Sequence, residues 1–258
     1  MLSKEDLQKD LHTRVIGRRL FVFESIDSTN ACARTLAEAG AEEGSVVIAD
    51  FQTNGRGRQG RAWKADPNVN LLFSVLLRPE LKRGSAGLLT FFAAVSVARA
   101  IEKTSGCSIE CKWPNDLLLN GKKICGILLE NSLEKEALAY SVVGIGLNVN
   151  QKNFRDDLRK ASSLSRELGA PLSRDRLFQE LVRQMDELYP PVRKSQFDSI
   201  LIEWNARCRM FGKEVTVAQD KRHISGTAVA LEPDGGLRIN TPSGPETVYA
   251  GDVTVVSS

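Results

Sequence analysis

Three guanidiniums alternate with glycine in Gly55-Arg56-Gly57-Arg58-Gln59-Gly60-Arg61, and Lys64 follows them. No acid stands between Asp50 and Asp66 to neutralise this charge locally. A guanidinium fork pairs with phosphate or carboxylate oxygens two at a time, so the chemistry on offer is the gathering of anions. Glycine lets the backbone approach a ligand closely and leaves an empty loop disordered. The expectation is a loop whose arginines repel one another and lack partners until an anion arrives, and which then closes with Trp63 behind it. The same letters spell the dinucleotide fingerprint GxGxxG. That motif needs a helix opening inside it, and Ala62-Trp63-Lys64-Ala65-Asp66-Pro67 does not read as one.

A second polar constellation is Cys111-Lys112-Trp113-Pro114-Asn115-Asp116. Proline withholds a ladder donor, which places this stretch at a sheet edge or a bulge. A lysine, an asparagine and a carboxylate gathered there need polar partners. Beyond a tight hairpin expected at Asn120-Gly121 come Lys122 and Lys123, then Gly126. Strand alternation turns one of the two lysines inward, where a lone ammonium is costly and an anionic ligand would relieve it. A Walker A loop is excluded, since Asp116 holds the position where GxxxxGK needs its first glycine. The glycines of Gly144-Ile145-Gly146-Leu147-Asn148 close an apolar run, where they admit a ligand or a second backbone.

The elements that must hold these groups follow from periodicity. Short or apolar β runs are expected at 21–24, 45–51 and Leu71–Leu77, and three or four more strands lie between Ile109 and Asn150. Ser28 caps a helix that stops at Gly40, and 86–101 is apolar on nearly every face, as a buried helix would be. Two further helices begin near Ser173 and near Ser195. From Phe211 the texture changes to short strands at 214–218, 226–231, 237–239 and 253–256, with the turn Pro233-Asp234-Gly235-Gly236 among them. This predicts an α+β chain: a segment 1–18, a larger mixed-sheet domain 19–208 packed with helices, and a small β-barrel module 209–258.

Composition removes several classes of function. Of 258 residues 42% are hydrophobic and 26% charged, enough for a sizeable core and against disorder. The net charge of +3 is well below that of a dedicated nucleic-acid binder. Only His12 and His223 are present, and the five cysteines form no CxxC pair, so a zinc site or a disulfide framework has little to draw on. Cys125, beside Lys123, reads as packing. The N-terminus carries acids and no apolar run, and 86–101 falls short of the ~20 residues a bilayer requires. The expectation is a cytoplasmic protein with no membrane partner.

Taken in order, Ser28-Thr29-Asn30, Gln52, Gly55 to Trp63, Lys112 to Asp116, Lys123 with Gly126, and Gly144 to Asn148 resemble the motifs of the biotin–protein ligases. The resemblance is strong from about residue 18 to 150, and the β module fits that family's SH3-like C-terminal domain. It implies an enzyme that joins biotin to ATP as biotinyl-5′-adenylate, then transfers biotin to one lysine of a biotin carboxyl carrier domain. Ser28, Thr29, Asn30 and Gln52 would line the biotin ring pocket with Gly126, Gly144 and Gly146, and Arg56, Gly57 and Arg58 would cover it. Arg58, Arg61, Trp63, Lys112, Asn115, Asp116, Lys123 and Asn148 would meet ATP, with Lys123 also binding the biotin carboxylate and Asp116 a magnesium ligand. Arg58, Lys123 and Asp116 would carry the catalysis. Substrates would be biotin and ATP, with Mg2+; a monomer and a homodimer both stay open.

Three rivals remain at this point. Some members of the family carry an N-terminal winged helix-turn-helix of ~60 residues, and the some twenty residues before the ligase-like region argue against a biotin-responsive DNA-binding repressor. A lipoate-type acyl ligase shares the general fold, but its His-containing glycine-rich signature is not found. A module that only binds the adenylate would not need both Arg58 and Lys123 aimed at one site.

Overall fold

The apolar runs of the first 150 residues assemble edge to edge in the computed structural model, which describes residues 1–154, 160–219 and 222–256. Seven strands, β1 (Leu20–Ile26), β2 (Val46–Gln52), β3 (Leu71–Leu77), β4 (Glu110–Lys112), β5 (Asp116–Leu119), β6 (Lys122–Glu134) and β7 (Ala137–Leu147), form one sheet in the order β1-β2-β3-β7-β6-β5-β4. Only β1 and β2 run parallel. The rest are antiparallel, so the sheet is mixed as expected.

Alternation decides what each face does. Phe73 and Val75 of β3 and Val143 and Ile145 of β7 point to one side, into the main core. There they meet α3 (Leu89–Ser105) and α5 (Arg174–Arg193), with α6 (Asp198–Arg207) beyond. Phe73 stands edge-on to Phe178 at 5.5 Å and Phe91 to Trp204 at 5.1 Å. Each such side chain, fully buried, contributes about 1.5–3 kcal/mol. On the other side, Leu76 and Val142 join Ala33 and Ala37 of α2 (Thr29–Glu38) in a smaller cluster. Ser28 accepts the Ala31 N–H at 3.4 Å and so fixes where α2 begins. The stretch Arg83–Ser105 is long and apolar enough to cross a membrane, but 72% of its apolar window is buried in this core.

The N-terminal residues pack into the same body. Within this segment α1 (Lys4–Gln8) sends a fully buried Leu7 against α5. Asp186 accepts three backbone N–H groups, from Arg14, Val15 and Ile16, at 2.7–2.8 Å. A short α4 (Leu164–Leu168), unread in the sequence, follows β7.

The C-terminal module is a five-stranded antiparallel sheet of β8 (Glu214–Gln219), β9 (Arg222–Leu231), β10 (Leu237–Thr241), β11 (Gly244–Val248) and β12 (Asp252–Val255). Its order is β11-β10-β9-β8-β12, and among the described residues no pairing joins β11 to β12. The expected barrel closure is therefore absent from the strand pairing. Strand β11 escaped sequence reading because Gly244-Pro245-Glu246 has low strand propensity and lies at an edge, where a proline is tolerated. Trp113 ties the two sheets together, its buried indole donating from Nε1 to the Gly235 carbonyl at 3.1 Å.

Candidate active site

The floor of the site is built by register. Leu72 of β3 pairs with Gly146 of β7, Gly146 with Gly126 of β6, and Gly126 with Asp116 of β5. One row over, Ser74 pairs with Gly144, and Gly144 with Leu128. Three glycines thus occupy the face that α2 covers further along, and the missing side chains leave a hollow in the middle of the sheet. A Cβ on Gly146 would lie 2.5 Å from the Trp63 ring, and one on Gly144 would lie 2.1 Å from Asn30 Oδ1. Glycine is required here by close approach.

The rim at α2 is neutral and polar. Thr29 donates its N–H and its hydroxyl to Gln52 Oε1 at 2.7 and 3.1 Å. Ser74 Oγ lies 2.8 Å from Thr29 Oγ1 and 2.6 Å from Asn30 Oδ1. The opposite rim is cationic. A β-bulge leaves Ile124 as the extra residue, since Leu117 pairs with Cys125 and Leu118 with Lys123. Ile124 and Cys125 both enter the core, which turns Lys123 onto the hollow and leaves Lys122 to pair with Glu167 outside, at 3.0 Å. Lys123 Nζ reaches Asp116 Oδ1 at 2.6 Å and stands 5.7 Å from the Trp63 ring centre. Burial pushes the Cys125 thiol well above its ordinary range, consistent with a packing role.

The arginine loop forms the lid, and here the expectation of unpartnered arginines is corrected. Arg56 faces Glu130 at 3.8 Å, and Arg61 pairs with Asp252 at 2.8 Å. Arg58 donates from Nη1 to Asn115 Oδ1 at 3.0 Å and from both Nη atoms to the Gly251 carbonyl at 3.4 Å. All these partners lie far along the chain, which is why a search for nearby acids missed them. Burial lowers the Arg58 pKa, and the charges of Asp252 and Asp116 oppose that drop. Within the loop only a single turn of 3-10 helix forms, Arg58–Gly60, so no helix N-terminus is presented for a dinucleotide.

The structure brings Ser28, Thr29, Asn30, Gln52, Arg56, Gly57, Arg58, Arg61, Trp63, Asn115, Asp116, Lys123, Gly126, Gly144, Gly146 and Asn148 to one pocket. Lys112 does not line it; it stands half-buried on β4, its pKa lowered by burial. Asn115 and Asn148 are already engaged, Asn115 Nδ2 with the Ile127 carbonyl at 2.7 Å and Asn148 Nδ2 with the Ser162 carbonyl at 3.0 Å. Residues the sequence reading missed include Ile127, Leu128, Ile145, Phe154, Ala161 and Asp252. Strand apolars look like core from sequence alone, and Asp252 comes from the other sheet. Ser74, a polar residue inside the run Leu71–Leu77, was the one legible signal.

Residues 22–148 match the model of the biotin/lipoate A/B protein ligase family, and 210–256 match the biotin protein ligase C-terminal domain. The bifunctional ligase/repressor BirA of Bacillus subtilis is 33% identical over 98% of this chain and 78% of its own length. The chain belongs to the biotin protein ligase family. The biotin–[acetyl-CoA-carboxylase] ligase of Mycobacterium tuberculosis is 30% identical over 95% of this chain and 94% of its own. A biotin protein ligase from Aquifex aeolicus, solved in complex with biotin and ATP, superposes with a TM-score of 0.79. That comparison covers 93% of this chain and all of the other, at 29% identity.

In this member of the biotin protein ligase family the lid rests on the C-terminal sheet, and the strength of that contact is testable. Arg61 and Asp252 are about half exposed, so their pair is worth at most about 1 kcal/mol. Asp252→Asn should raise the rate of limited trypsin cleavage at Arg56, Arg58 and Arg61 no more than about fivefold. A much larger rise would mean that Asp252 holds the lid through more than its partner Arg61; no rise would mean that the Arg58–Gly251 contact alone holds it.

Proposed function

We propose that the chain activates biotin with ATP to biotinyl-5′-adenylate and transfers the biotinyl group to a lysine of a biotin carboxyl carrier domain. The observation that carries this reading is the polarity of the pocket. Neutral hydrogen-bonding groups on Ser28, Thr29, Asn30 and Gln52 suit the uncharged ring system, and Arg58, Arg61 and Lys123 gather at the other side, where two anions must meet.

In the first step a biotin carboxylate oxygen attacks the α-phosphorus, and the bond to the bridging oxygen breaks to release pyrophosphate. Negative charge builds on the phosphoryl oxygens, and fixed cations aimed there lower the barrier. Lys123 serves as the point charge and Arg58 as the planar fork. Closure of the lid keeps water from the mixed anhydride. Magnesium bound with ATP would supply further positive charge, and Asp116 and Asp252 would be the residues to hold it. These two carboxylates of the pocket wall are of the kind and number that such an ion uses, whereas among the described residues no group of three His, Cys, Asp or Glu could hold an ion alone.

In the second step the acceptor amine attacks the acyl carbon and AMP leaves. Neutralising a lysine of pKa ~10.4 at pH 7 costs about 4.6 kcal/mol. We assign the proton to Asp116, the carboxylate beside Lys123. The five free cysteines fit a reducing cytoplasm as the setting.

The expected result is pyrophosphate release on mixing the protein with biotin and ATP, followed by labelling of a carrier domain. Lipoate in place of biotin should give little release. Release with lipoate that equals or exceeds that with biotin would replace this reading by its acyl-ligase rival, and no release with either would remove both.

A further inference from the structure

Glu130 lies on β6 behind the pocket wall, outside the residues that line the pocket, yet its two oxygens reach two of them. Oε2 accepts Asn30 Nδ2 at 2.8 Å, and Oε1 lies 3.8 Å from Arg56 Nη1. Asn30 belongs to the floor and Arg56 to the lid. We infer that Glu130 is a positioning residue for biotin, setting the orientation of the Asn30 amide while drawing the lid across the mouth. The inference deepens the biotin-activating reading and rests on it.

The argument is one of hydrogen-bond direction. A carboxylate only accepts, so the side of Asn30 that meets Glu130 must be its amino group. Asn30 Oδ1 is then committed to Ser74, whose hydroxyl lies 2.6 Å away, and to the space above Gly144. Ser74 in turn touches Thr29 Oγ1, and Thr29 gives both its donors to Gln52 Oε1. With Oε1 occupied, Gln52 has Nε2 left as its donor toward a ligand. Glu130, with the Leu128 carbonyl 3.5 Å from the same Nδ2, therefore fixes which way the Asn30 amide faces, while the Thr29 N–H fixes Gln52 separately. The network is largely buried, with Ser74 fully so and Asn30 4% exposed, and a reversed amide there would leave like groups facing each other. The other oxygen of the same carboxylate faces the first arginine of the lid, so the placement of the ring and closure over it share one residue.

Glu130→Gln removes the charge and keeps the shape. It should raise the KM for biotin about tenfold, the size of one charge-assisted hydrogen bond, with the KM for ATP and the melting temperature little changed. Asn30→Asp sets two carboxylates against each other and should raise it further. The double variant Asn30→Asp/Glu130→Gln restores a donor facing an acceptor, and should recover part of that loss. Such rescue is a readout that a merely structural role would not give. Should Glu130→Gln fail to fold, Glu130→Asp, which keeps the charge and shortens its reach, should show the same selective rise. A biotin KM within twofold of the parent, equal rises in both KM values, or a double variant worse than Asn30→Asp alone would each overturn the inference. Absence of pyrophosphate release from the parent would instead overturn the biotin reading itself.

Discussion

Lys123→Met should lower the rate of adenylate formation by about 10²–10³-fold, the usual cost of removing one fixed donor from a site of developing charge. Methionine keeps the length of the stem and its contact with Trp63 while removing the ammonium that stands 2.6 Å from Asp116. The measurement is single-turnover pyrophosphate release at saturating biotin and ATP, which separates chemistry from binding. Because the change also strands a partly buried carboxylate, Lys123→Met/Asp116→Asn is the necessary companion. If that pair restores the rate, the harm came from the orphaned Asp116 and not from a missing cation. Asp116→Asn alone, given preformed biotinyl-adenylate, should transfer to the carrier about 10²-fold more slowly. Unchanged transfer would take the proton-accepting role from it.

The second large effect is expected at a residue with no side chain. Gly144→Ala places a methyl 2.1 Å from Asn30 Oδ1, and Asn30 cannot retreat, being held by Ser74 on one side and Glu130 on the other. Overpacking of this kind costs about 1–3 kcal/mol. Charged to biotin binding, that is about 5–150-fold in Kd, read by calorimetry. Gly87→Ala is the control, because nothing lies within 4 Å of the added atom and the backbone there is not left-handed. Equal affinity in Gly144→Ala and Gly87→Ala would show that the floor yields, and that its packing does not define the ring site.

Much of this arrangement was legible in the residues themselves. The apolar runs announced the sheet, and Ser28 and Ser173 marked helix starts. What stayed hidden depends on residues distant in the chain. Alternation could say that one of Lys122 and Lys123 turns inward, but the choice between them rests on the bulge at Ile124, a feature of pairing with β5 that carries no local mark. The partners of the lid arginines were equally invisible, because Glu130 and Asp252 lie on strands of two different sheets. Lys112 sits directly opposite Asp116 in the β4–β5 ladder without itself lining the pocket.

The seat of the lid is made by Gly251, 193 positions from Arg58 along the chain, and its neighbour Asp252. A ribosome therefore finishes the pocket floor well before it makes the surface on which the arginines come to rest. Until residues 251 and 252 have emerged, the nascent chain lacks the seat that organises the cover over a water-sensitive anhydride.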